Sequence, residues 1–133
     1  MSAVYCDTSV VVPYYVPETY SAKAEQVLDR HQQRVISPLV LTEVSSAFRR
    51  KVHDKAISRA DAQAAWEDFK QDVATGTFHL LELGRRHYDH AASQMWQTKE
   101  RLRTLDAVHL AAASLAGLSM ATADHVLAKV CKD

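Results

Sequence analysis

Cysteine is scarce in this chain, and charge of neither sign prevails. The two cysteines, Cys6 and Cys131, form no Cys-x-x-Cys pair. A buried free thiol is the expected state of each, which points to a reducing, cytosolic setting. Sixteen basic and sixteen acidic residues cancel, so no global field draws the chain to nucleic acid, although a local patch remains open. No apolar run approaches the length of a membrane span. No basic region with a long apolar stretch precedes Asp7, so no signal peptide is expected. Internal repeats, low-complexity segments and interdomain linkers are absent too. What is present is 133 residues, 47% of them hydrophobic. That suffices for one domain over residues 1–133 with a real core, and is too little for two.

Short apolar segments alternate with amphipathic ones. Ala3-Val4-Tyr5-Cys6 reads as a buried strand, with Asp7-Thr8-Ser9 at its end. Val10, Val11 and Val12 are apolar again, and Pro13 and Pro17 punctuate an expected loop. A helix is predicted over residues 20–30 and a strand over 34–36. Ser37-Pro38 marks a helix start, with Ser at the cap and Pro at the first helical position. Leu41, Val44, Phe48 and Val52 form its stripe. Ser58-Arg59-Ala60-Asp61 resembles a capping box before a stripe of Ala62, Ala65, Trp66, Phe69 and Val73. A third strand is predicted over 78–83, and Tyr88, Ala91, Ala92, Met95 and Trp96 mark another helix. Gly117 is placed to end the helix that begins near Asp106. A fourth strand is predicted over 118–122 and a last helix over 126–130. This alternation implies crossover connections and a parallel sheet with helices on both faces.

The stretch Arg103-Thr104-Leu105-Asp106-Ala107-Val108-His109-Leu110-Ala111-Ala112-Ala113 reads as the opening of a buried helix. Leu105, Val108, Ala112 and Leu115 mark its core stripe, and Thr104 is the expected N-cap. Asp106 then lies in the first turn, where the helix dipole favours an anion. Alone, Asp106 is as well explained by support of the cap. Three other acids recur at equally defined places: Asp7 after the first strand, Glu43 inside the helix after the second, and Asp124 after the fourth. In open α/β sheets functional groups gather beyond the carboxyl ends of strands. Asp7 and Asp124 are therefore expected on one edge, which Asp106 and Glu43 join if their helices pack there.

Carboxylates gathered without a cation repel, and one would have to keep a proton. A divalent metal resolves the conflict, and an oxygen-only set suits Mg²⁺ or Mn²⁺ rather than zinc. A metal-bound water is a route to a nucleophile, and two metals about 4 Å apart can stabilise both attacking and leaving oxygens of a phosphodiester. Metal-assisted phosphodiester hydrolysis is the chemistry this pattern implies. Thr8, Ser9, Thr104 and Thr122 flank the acids. They suit either local capping or hydrogen bonds to the carboxylates, to metal water or to a phosphate. Arg49, Arg50 and Arg103 are candidates for holding a phosphodiester backbone.

Taken together, Asp7-Thr8-Ser9 after a strand, Glu43 after Ser37-Pro38, the 103–113 stretch and Ala121-Thr122-Ala123-Asp124 resemble a PIN domain. More narrowly, the chain is similar to bacterial VapC-type toxins over nearly its whole length. The third motif, and the order and spacing of all four, carry the resemblance. It implies a three-layer α/β/α sandwich around a short parallel sheet, and an Mg²⁺- or Mn²⁺-dependent cytoplasmic endoribonuclease. It implies that Asp7, Glu43, Asp106 and Asp124 hold the metal, and that the backbone held by those arginines is that of RNA. It implies a homodimer, and a cognate antitoxin whose C-terminal segment occupies the site. Such domains usually add a fifth strand after the last helix. Here the sequence stops at Asp133, so that edge strand is expected to be missing or truncated.

Other chemistries fit less well. An Asp-x-Asp phosphatase lacks its second acid, because Ser9 stands there. A phosphate-accepting signalling domain would want paired acids at the first strand, where Cys6 precedes Asp7. His87 and His90 at i, i+3 suggest the start of a zinc site, but no third ligand has convincing spacing and both are expected to be exposed. His109 shares a face with Asp106. Its candidate roles are orienting Asp106, proton transfer near neutral pH, or a buried bond to backbone or a neighbouring acid. Trp66, Phe69, Tyr88, Met95 and Trp96 are expected in the core or a dimer interface. The alternative to an enzyme is a catalytically silent PIN-like module that binds a partner protein.

Overall fold

The first strand of the chain becomes the inner strand of its sheet. β1 (Ala3–Cys6) lies parallel to β2 (Gln33–Ile36) on one side and to β4 (Ser119–Ala121) on the other. β3 (His79–Leu80) pairs in parallel with the outer side of β2, giving the order β3-β2-β1-β4. The computed structural model describes residues 2–132, with backbone alone for His125, Val126, Cys131 and Lys132. The strand order reverses at β1, since the chain moves outward through β2 to β3 and then returns to β1's free side. Parallel strands point their carboxyl ends the same way, so the ends of β1 and β4 meet at this switch point.

Helices cover both faces. α1 (Thr8–Tyr15), α2 (Ser21–Asp29), α3 (Pro38–His53) and α4 (Arg59–Ala74) pack on one another. Their core takes Val4 and Cys6 from β1 together with Val11, Val44 and Phe69. α5 (Arg85–Gln97), α6 (Thr104–Leu115) and α7 (His125–Lys132) form the other layer. Tyr5 points that way and packs with Ala112 and Ala113. The period of two along β1 thus divides its side chains between two cores. The result is the expected three-layer α/β/α arrangement, with four strands among the described residues. Gly117 adopts φ 69° just past α6, the left-handed position that ends a helix.

Several local expectations need correction. The segment read as a loop around Val10 to Pro13 is helix α1. Asp7 caps it, accepting the Ser9 N–H on its side chain and the Val10 and Val11 N–H groups on its carbonyl. Burial of Val10, Val11, Val12 and Pro13 outweighs the poor helix propensity of these residues. The third strand contains only His79 and Leu80, both exposed at an edge, rather than 78–83. Thr104 is the first helical residue of α6, not its cap. Arg103 stands at the cap and ion-pairs with Asp106 in the first turn instead. Leu105 is 46% exposed, and the buried face of α6 is built from Ala107, Val108, His109 and Ala111 to Ala113. His87 is buried rather than exposed, because its Nδ1 accepts the Gly84 N–H at 2.9 Å at the start of α5. Cys6 is a buried free thiol whose pKa burial and then Asp7 push up to about 12. The same expectation for Cys131 lies outside the described side chains.

Candidate functional site

The carboxyl ends of β1 and β4 are tied together before any acid enters. The Asp7 N–H bonds to the Ala121 carbonyl at 3.2 Å, and Ser9 Oγ accepts the Ala123 N–H at 2.8 Å. Asp7 is therefore set in a fixed corner, and only 3% of its surface is exposed. Its Oδ1 accepts Ser9 Oγ at 2.6 Å and the Ser9 N–H at 3.0 Å. Its Oδ2 accepts Thr122 Oγ1 at 2.5 Å. Burial raises the pKa of Asp7 above the ordinary carboxylate value, and these hydrogen bonds with the nearby His109 offset only part of that rise.

Glu43 is half-buried on the second turn of α3. Burial would raise its pKa, but bonds from His109 and Thr8 outweigh burial and hold it below the usual value. Both reach the same oxygen: Oε1 takes Thr8 Oγ1 at 2.7 Å and His109 Nε2. His109 therefore holds Glu43 rather than Asp106. Asp124 caps α7, with Oδ1 accepting the Leu127 N–H at 2.9 Å. Its Oδ2 lies 3.0 Å from Arg103 Nη2, and Arg103 Nε lies 3.0 Å from Asp106 Oδ2. The guanidinium is held protonated more firmly than usual by the Asp106 bond and charge, then by Asp124.

All four predicted acids line one cleft of about 840 Å³, which runs on past α3 to Tyr20 and Arg50. Thr8, Ser9 and Thr122 each bond an acid, whereas no side-chain bond involves Thr104 among the described residues. Arg50 borders this cleft, whereas Arg49 borders a separate groove with Phe48, Arg59 and Trp66. Sequence reasoning missed Tyr5 and the second role of Ser37. Tyr5 Oη bonds Ser37 Oγ at 2.9 Å and His109 Nδ1 at 2.7 Å. A tyrosine inside a strand expected to be buried was the available signal, since its hydroxyl must find a partner.

Among the described residues no three acid, histidine or cysteine side chains are drawn together tightly enough to ligate one ion at once. The donor chemistry nevertheless suits a hard divalent cation. Every candidate donor is oxygen, and the Arg103 guanidinium already stands as a cation between two of the acids. Glu43 Oε2 and Asp106 Oδ1 face no hydrogen-bond donor among the described residues. Asp7, Glu43, Asp106 and Asp124 are the residues that would hold such an ion.

Several solved structures share this fold. VapC20 of Mycobacterium tuberculosis, described as a sarcin–ricin loop cleaving toxin, superposes with a TM-score of 0.76 at 13% identity, covering 95% of this chain and 93% of its own. FitAcB of Neisseria gonorrhoeae gives 0.73 at 15% identity, covering 97% and 93%. VapBC2 of Rickettsia felis, bound to a promoter DNA fragment, gives 0.65 at 14% identity, covering 96% and 92%. Comparison with curated proteins finds no sequence match. The family model of the PIN domain matches residues 4–133, and the chain belongs to the PIN domain family.

Proposed function

We propose that this protein is a divalent-cation-dependent endoribonuclease that acts as the toxin of a toxin–antitoxin pair. The observation that carries the reading is the meeting of Asp7, Glu43, Asp106 and Asp124 around one cleft at the carboxyl ends of β1 and β4. Membership of the PIN domain family supports it. So does the likeness of fold to a toxin that cleaves the sarcin–ricin loop. The cleft runs on past α3 to Tyr20 and Arg50, an extent that suits a polymer better than a small metabolite.

Mg²⁺ is the cation proposed, with Mn²⁺ as its substitute. Bound there, the ion would polarise water and stabilise charge on the leaving oxygen of a phosphodiester. The chain's own residues supply order. Ser9 and Thr122 hold Asp7, while Thr8 and His109 hold Glu43, so neither acid has to be oriented when substrate arrives. Arg50 on the cleft wall would hold an RNA phosphate.

A cognate antitoxin is the proposed partner, because the fold recurs in a toxin–antitoxin complex from Klebsiella pneumoniae, matched at a TM-score of 0.68. A homodimer and a cytoplasmic location belong to the same reading. No helix among the described residues is long and apolar enough to cross a membrane. The test is direct. Purified protein with Mg²⁺ should cut single-stranded RNA, chelation should stop it, and Asp7→Asn should abolish it. Full activity in that variant would overturn the assignment and leave the silent interaction module as the better account.

A further inference from the structure

Buried polar side chains from β1, the start of α3 and α6 form a hydrogen-bonded chain that ends at Glu43. Ser37, Tyr5 and His109 are all buried. Ser37 stands at the N-cap of α3 yet makes no capping bond, and its Oγ turns to Tyr5 Oη at 2.9 Å. Tyr5 Oη also meets His109 Nδ1 at 2.7 Å, and His109 Nε2 bonds Glu43 Oε1.

Donor and acceptor rules give this line a direction. An ionised carboxylate only accepts, so Nε2 carries the hydrogen. In a neutral imidazole Nδ1 is then an acceptor, and Tyr5 donates to it. Tyr5 oxygen in turn accepts from Ser37. Every group in the line is satisfied, and no buried side-chain nitrogen or oxygen among the described residues lacks a partner. Thr8 Oγ1 reaches the same Glu43 oxygen at 2.7 Å. Two donors therefore converge on Oε1, and Oε2 has none among the described residues.

We propose that Ser37, Tyr5 and His109 form a positioning relay that grips Glu43 by Oε1 and reserves Oε2 for a divalent cation in the cleft. The inference rests on the reading of the cleft as a cation site. None of the three residues is itself a ligand. Tyr5 fixes the imidazole from the side remote from the cleft, and His109 transmits that order to the acid, as outer partners of ligands commonly do.

The experiment is a Mn²⁺ titration of the full chain followed by electron paramagnetic resonance, alongside thermal melts without metal. His109→Leu should bind Mn²⁺ about 10- to 100-fold more weakly. His109→Gln should recover most of the loss, because its amide can donate where Nε2 did. Tyr5→Phe removes one oxygen from a ring that keeps its place, and should weaken binding roughly 3- to 10-fold. It keeps the test alive if His109→Leu does not fold. Nitrogen-15 spectra of the metal-free protein should show hydrogen on His109 Nε2. Wild-type protein that binds Mn²⁺, with Tyr5→Phe and a folded His109→Leu binding equally well, overturns the relay and leaves the cation site standing. A bare Nε2 also overturns the relay. Wild-type protein that binds no Mn²⁺ overturns both.

Discussion

Arg103 Nη2 lies 3.0 Å from Asp124 Oδ2 across 21 residues of sequence. The same guanidinium holds Asp106 Oδ2 at 3.0 Å through Nε. One side-chain cation is therefore shared between two of the four acids of the cleft. If the proposed divalent ion binds through those oxygens, it would have to displace the guanidinium, and Arg103 would then compete with it for Asp106 and Asp124.

Arg103→Gln should accordingly bind Mn²⁺ more tightly, by roughly 3- to 10-fold, the effect of one nearby unit charge in a half-screened site. Melting without metal should change by about 2 °C or less, because Arg103 is 73% exposed and such pairs contribute little to stability. Isothermal titration and a thermal melt read the two quantities separately. Equal or weaker metal binding in the variant would show that the guanidinium does not compete.

Asp7 should make metal-free stability and the proposed metal binding depend on pH in opposite senses. Burial raises its folded pKa above the unfolded value near 3.8, so the folded chain holds the proton more firmly. Metal-free stability is then lost as pH rises from about the unfolded pKa through the raised folded one. Glu43 behaves in reverse: its folded pKa is lowered, and its contribution is lost as pH falls below the unfolded value through the folded one. A metal held by Asp7 would have to expel any proton left on it, so the metal-induced rise in Tm should grow with pH across the window where Asp7 ionises. Asp7→Asn should raise the metal-free Tm at neutral pH, by about 4 °C for each kcal/mol of relieved burial, and remove the response to metal. Thr122 can accept the new amide hydrogen by turning its own hydroxyl toward Ser9 Oγ, 3.3 Å away. A lower Tm in this variant would mean that Asp7 is stabilising as a charge.

The layers of the fold were legible because the residues that make them obey simple periods. Val4 and Cys6 against Tyr5, and Ala24 with Leu28, announce their faces directly. The switch-point edge followed from strands alternating with helices, which placed Asp7 and Asp124 before any distance was known. Helix α1 was not legible, because four consecutive buried residues carry no period and Pro13 signals a break. Two caps failed for a different reason. Ser37 stands where a cap belongs, but its side chain is taken by Tyr5, distant in sequence. Thr104, the expected cap of α6, falls in the first turn because Arg103 holds the cap position, tied to Asp106 and, across the sequence, to Asp124. Local rules cannot see such partners. Of the roles open to His109, the buried bond to an acid holds, but that acid is Glu43 rather than Asp106 three residues away.

The two neighbouring arginines of α3 should separate in RNA binding. Arg50 lines the acidic cleft, and Arg49 faces the groove beside Trp66. With Ca²⁺ in place of Mg²⁺ to suppress cleavage, Arg50→Gln should flatten the salt dependence of single-stranded RNA binding by about 0.7 in log–log slope, the loss of one phosphate contact. Arg49→Gln should leave the slope unchanged. Equal slopes for both variants would place the RNA path elsewhere on the surface.

Helix α5 carries the clearest unpartnered aromatic surface. Trp96 is 91% exposed, and Tyr88 and Met95 are exposed on the same helix, with the i, i+7 and i+8 spacing that puts them on one face. Exposed large apolar groups in such a row are disfavoured unless a partner covers them. In the homodimer proposed above, this face is the expected contact. Trp96→Asp should therefore shift the chain to monomer in sedimentation equilibrium, while leaving the monomer's own fold intact, since a side chain so exposed supports no packing within it. Tryptophan emission gives an independent reading. Trp66 is partly buried and serves as the internal reference, so dilution of wild-type protein should redshift the emission only through Trp96. A dimer that survives Trp96→Asp with unchanged affinity would exclude this face and move the interface to another surface.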